Sequence, residues 1–143
     1  MAFHQGGEEF PPLGTAIADG KSRQLTGDGP FTYGFLTRKF VASMEPPAKR
    51  KFKAPKTYLP PEVSDPQTTL AEFRRISKEL RILAQSAAGL HLARVKTIVP
   101  ALPSLLRALV KMPLGARLEV ITVHDRRHLW QAEAVRNHRE FPL

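Results

Sequence analysis

Residues 65–89 read DPQTTLAEFRRISKELRILAQSAAG, and this stretch decides the fold. Asp65 followed by Pro66 has the form of a helix N-cap with proline at the first helical position. Thr69 with Glu72 three residues on offers a competing capping box. Leu70, Phe73, Ile76, Leu80, Leu83 and Ala87 then recur at spacings of 3, 3, 4, 3 and 4. That periodicity predicts one apolar stripe on a helix of about 20 residues. Arg74, Arg75, Lys78, Glu79 and Arg81 occupy the other faces, and Gly89 is suited to end the helix.

Toward the C-terminus the pattern is mixed. Residues 90–99 show no clean alternation and fit either a strand or a helical stretch, with Pro100 as the stop. Pro103 opens a predicted helix to about Met112, with Leu105, Leu106, Leu109 and Val110 on its buried side. Pro113 and Gly115 would end it. In Arg117–His124, Leu118, Val120 and Thr122 alternate with Glu119, Ile121 and Val123. Both sets are largely apolar, which predicts a strand buried on both faces. Asp125 would then cap a last helix over about 126–138, carrying Leu129, Trp130, Ala134 and Val135. If 90–99 is a strand, the centre is a βαβ unit with the usual right-handed crossover.

Toward the N-terminus the composition changes. Seven of the nine Gly lie in 1–34 and nine of the 13 Pro in 1–66, and both residue types oppose regular structure. Leu36, Phe40 and Met44, with Val41 beside them, predict a short helix over Phe35–Met44. The expected class is therefore α+β, or a small α/β fold. A compact helix-rich domain at 66–143 with one or two strands follows a long extended Pro/Gly-rich segment at 1–65.

That segment is rich in rings, unlike an ordinary disordered tail. Phe3, Phe10, Phe31, Tyr33, Phe35, Phe40, Phe52 and Tyr58 are eight of the ten Phe and Tyr in the chain. Phe3, Phe10, Phe31, Tyr33, Phe35, Phe40 and Tyr58 are expected to dock, onto a partner or onto the chain's own C-terminal domain. Charge is uneven too. The chain carries +9 overall, of which residues 38–56 hold +6. Arg38, Lys39, Lys49, Arg50, Lys51, Lys53 and Lys56 supply the positive charge there, with Phe52 as a ring able to stack on a base. Prolines keep the stretch extended enough to track a phosphate backbone. A nuclear address, an anionic lipid surface, an acidic protein surface and a merely solvated run are the competing readings.

Several chemistries are excluded. The chain has no Cys, so disulfides, thiolate zinc sites and Cys nucleophiles are absent. The longest uncharged apolar-rich run, Ile82–Ala93, is 12 residues, where a membrane-spanning helix needs about 20. Gly27, Asp28, Gly29 and Pro30 have no strand before them and no Lys-Ser or Lys-Thr after them, so they make a turn rather than a phosphate cradle. His124, Asp125, Arg126, Arg127 and His128 form the one cluster that invites catalysis. With His124 at a strand end, however, the two rings need not share a face, and two arginines crowd the place. No catalytic residue, metal ligand or cofactor is expected.

Residues 1–20 lack Lys and Arg and hold three acids, unlike a mitochondrial presequence or a secretory signal. The expectation is a non-catalytic structural subunit of a large ribonucleoprotein assembly. A mitochondrial ribosomal protein fits best, with any targeting segment removed or placed elsewhere and a cytoplasmic setting as the alternative. Its partners would be ribosomal RNA and neighbouring proteins. An accessory subunit of a respiratory-chain or ATP-synthase complex, facing anionic lipid, is the second reading, and a small His-dependent enzyme the third.

Overall fold

The structure is a computed structural model, and it describes residues 10–47, 65–99 and 110–141. Within them it is a helix-rich α+β domain: α1 (Pro11–Ser22), α2 (Phe35–Met44), α3 (Pro66–Ser86), β1 (Lys96–Ile98), β2 (Lys111–Pro113) and α4 (Leu114–Arg136). The stretch Phe35–Met44 and the helix after Asp65 form as their patterns predict.

Asp65 caps α3 as expected. Its carboxylate accepts from the Thr68 backbone N–H at 2.7 Å and from Thr68 Oγ1 at 2.6 Å. These bonds favour the ionised form and hold the Asp65 carboxyl below its usual range. The competing Thr69–Glu72 box does not form: Thr69 Oγ1 donates to the Asp65 carbonyl, and Glu72 pairs with Arg75 at 2.6 Å. The C-cap is Ala87 rather than the expected Gly89, which lies two residues further on and takes left-handed backbone, φ +78°.

Four sequence expectations are corrected. Residues 11–22, assigned to extended backbone by their Gly and Pro, form α1. The two prolines sit at its start, where no N–H partner is lost. Leu13, Ala16, Ile17 and Gly20 fall on one face and are buried. Second, 90–99 is neither a long strand nor a helix. It turns through 92–94 and enters the three-residue β1. Third, Lys111 and Met112 lie in β2 rather than at a helix end. The pairing is antiparallel, Lys96 with Pro113 and Ile98 with Lys111, so no parallel βαβ unit exists between them. Val110, expected on the buried side of the helix from Pro103, is in no element and exposed, and residues 103–109 lie outside the described residues.

The fourth correction is the largest. Arg117–His124 is not a strand, and Asp125 is not a helix N-cap: both lie inside the 23-residue α4. The reason is packing on two sides. Leu118 and Ile121 lean on the main core, while Val120 and Val123 form a second cluster with Val41, Met44 and Met112. A helix wedged between two clusters is apolar on two faces, and in sequence that resembles a strand covered on both sides. The start of α4 is secured by the 92–95 turn. Leu114 N–H donates to Val95 O at 2.9 Å and Gly115 N–H to Leu92 O at 3.1 Å, serving donors that a helix start leaves without internal partners.

The main core joins Phe10, Leu13, Ala16 and Ile17 of the α1 region with Ala87, Leu90, Val95 and Leu114. Buried Thr97 on β1 donates its hydroxyl to Pro12 O at 3.2 Å, fastening the start of α1 to the ribbon. After α1 the chain crosses residues 89–91. Thr26 bridges Leu90, and His91 N–H donates to Leu25 O at 2.7 Å.

Candidate functional site

Helix α2 carries the described part of the basic stretch. Thr37, Val41 and Met44 turn inward, and Val41 packs against Val120 and Val123 of α4. Glu45, just past α2, pairs with Arg126 of α4 at 3.1 Å. With α2 seated this way, Phe35, Leu36, Arg38, Lys39 and Phe40 face solvent. The packed face is therefore not the Leu36–Phe40 stripe that the four-residue spacing suggests. Leu36 is 80% exposed. Lys39 Nζ lies 5.1 Å from the Phe35 ring centroid, a cation–π contact that holds the ammonium beside an exposed aromatic face. Lys49, Arg50, Lys51, Phe52, Lys53 and Lys56 lie outside the described residues, as do Phe3 and Tyr58.

The other aromatic positions divide. Phe10 is buried in the main core. Phe31 stacks at 4.7 Å on His91. Tyr33 is half-buried with its hydroxyl over Gly115, where any Cβ would run into that oxygen and the Leu92 side chain. Burial and the nearby Glu119 charge push the Tyr33 hydroxyl above its ordinary range. Phe35 and Phe40 remain available on the outer face of α2.

His124 and His128 share one face of α4, which a strand ending at His124 did not require. Their Nε2 atoms are 2.9 Å apart, with the ring centroids at 4.4 Å and the planes perpendicular. His128 Nδ1 meets Gln131 Oε1 at 3.1 Å. The sequence carries the signal as an i, i+4 pair, which the assignment of His124 to a strand end discounted.

Between α3 and α4 runs an open groove of about 290 Å³, lined by Ser77, Leu80, Arg81, Ala84, Leu118, Thr122 and Asp125. Away from it, Leu70, Phe73 and Ile82 on α3 and Leu129, Trp130 and Val135 on α4 are exposed apolar side chains. Among the described residues no helix is long and apolar enough to cross a membrane. Comparison with protein-family models, with curated proteins and with solved structures finds no match.

Proposed function

We propose that this protein is a non-catalytic structural subunit of a large ribonucleoprotein assembly, with a mitochondrial ribosome as the best candidate. In this reading it contacts RNA through Arg38, Lys39 and the basic run that follows them in the chain. The outer face of α2 carries the proposal. It presents two cations and two rings to solvent, and it leads within a dozen residues into Lys49, Arg50, Lys51, Phe52, Lys53 and Lys56. Cations interleaved with aromatic rings suit single-stranded RNA, since the cations meet phosphates and a ring stacks on a base. The exposed apolar side chains of α3 and α4 favour life inside an assembly, where neighbouring proteins cover them.

Binding of single-stranded RNA to the full chain across a salt series tests this. Five phosphate contacts give a slope of log affinity against log salt of about −3.5. Changing Lys49, Arg50, Lys51 and Lys53 to Ala flattens the slope by about 3. Phe52→Ala costs about 1–3 kcal/mol with the slope unchanged. An accessory subunit of a membrane complex would instead lose docking onto protein or anionic lipid in the fourfold variant. Absence of RNA binding at low salt, with the variant still entering its native particle, removes the RNA reading.

A further inference from the structure

We propose that His124 and His128 form a two-histidine site for a divalent transition-metal ion of the imidazole-preferring class, namely Zn²⁺, Ni²⁺ or Cu²⁺. The proposal is independent of the RNA reading.

It starts from the helix. Residues four apart on α4 stand one turn above each other on the same face. The structure places the two Nε2 atoms 2.9 Å apart. Two metal–nitrogen bonds of about 2.0–2.1 Å meeting at a right angle hold their nitrogens about 2.9 Å apart, and at a tetrahedral angle about 3.4 Å apart. The helix thus already sets the bite that a chelating pair needs. The perpendicular rings now share one hydrogen atom between their Nε2 atoms. For His124 to ligate through Nε2, that hydrogen moves to its Nδ1 by exchange with water; rotation about the soft Cβ–Cγ torsions then turns both Nε2 lone pairs onto a common ion.

The tautomer of His128 is prepared as well. Gln131 Oε1 can only accept, so His128 Nδ1 carries the hydrogen and donates it at 3.1 Å. Nε2 of His128 then bears the lone pair, and Gln131 is a positioning residue of the kind that fixes ring orientation in metal sites. Arg126 is drawn toward α2 by Glu45 at 3.1 Å, which offsets its charge. Among the described residues no third His, Cys, Asp or Glu joins the pair. The remaining coordination positions are left to water or to a donor from outside the described residues. With two ligands from the described residues, such an ion has positions open to a further donor, unlike a closed four-ligand zinc centre.

Calorimetric titration of the full chain at neutral pH with ZnCl2, NiCl2 and CuCl2 tests this, alongside the thermal midpoint with and without each ion. One ion per chain and a raised midpoint are expected, because an ion that binds only the folded chain stabilises it. His124→Ala and His128→Ala each weaken binding by about a hundredfold through loss of chelation. Gln131→Leu weakens it by about tenfold, and His138→Ala leaves it unchanged. The double variant His128→Ala, Leu129→His keeps the number of histidines but moves the second ring off the shared face; it does not restore binding. Absence of one-to-one binding in the natural chain overturns the proposal. So does full affinity in either single alanine variant, restoration by the moved histidine, or loss of binding on changing His138 alone.

Discussion

Helices α1 and α3 invert what their sequences suggest. The 21-residue α3 has the cleanest apolar stripe in the chain, yet none of its residues is fully buried. The 12-residue α1, interrupted by two glycines, buries Leu13, Ala16, Ile17 and Gly20. An apolar stripe makes a helix able to pack, but burial depends on how many elements close over it. The last turns of α3 reach the main core through Leu80, Leu83 and the following Ala87, while Leu70 and Phe73 near its start are 42% and 40% exposed. Helix α1 lies under the 87–95 connection and the start of α4, so a shorter stripe is covered completely.

The contrast is most sharply tested by matched truncations. Leu13→Ala, at a site only 1% exposed, is expected to cost about 3–5 kcal/mol in chemical denaturation of the full chain. Leu70→Ala on α3 is expected to cost about 1 kcal/mol or less. Equal losses would mean that α3 is closed over as fully as α1.

The two glycines of α1 sharpen the comparison within one helix. A Cβ at Gly20 would lie 2.8 Å from Val95 Cγ2, and Val95 is itself only 1% exposed. Gly20→Ala is therefore expected to lose about 1–3 kcal/mol by overpacking, although alanine is the better helix former. At Gly14 the nearest atom, Leu83 Cδ2, is at an ordinary 3.8 Å. Gly14→Ala is expected to gain about 0.5–1 kcal/mol. Thermal melts of the two variants should move in opposite directions.

The smallest effect concerns the exposed start of α3. The Asp65 carboxyl titrates lower in the folded chain than in the unfolded one, because Thr68 donates to its ionised form. Its contribution is complete above the ordinary carboxylate range and disappears as pH falls through the lowered folded value. Amide exchange at Thr68, corrected for intrinsic rates, should lose protection across that acid window in the natural chain. In Asp65→Ala protection should be low and flat with pH. A natural chain whose Thr68 protection ignores acid would show that the cap does not hold this end.

Local signals determined much on their own. Asp65, Pro66 and the stripe behind them specify α3 from its cap onward, because capping and periodicity act within a few residues. The helix Phe35–Met44 is equally local. The absence of Cys excludes thiol chemistry, and the placement of seven cations in 38–56 marks the basic stretch without any structure. Only the tertiary structure decided which faces were covered. Leu13, Ala16 and Ile17 carry a helical spacing, but with Pro11 and Pro12 before them and Gly14 among them, α1 becomes legible only where Leu90, Val95 and Leu114 close over it. Thr37, Val41 and Met44, rather than Leu36 and Phe40, became the inner face of α2 because Val120 and Val123 stand opposite. Residues 117–124 became helix instead of strand because two separate clusters press on α4 from different sides. His124 and His128 came together for the same reason. Their four-residue spacing has chemical meaning only on a helix, and the β-branched run before them made that helix look like a strand until the packing on both sides was seen.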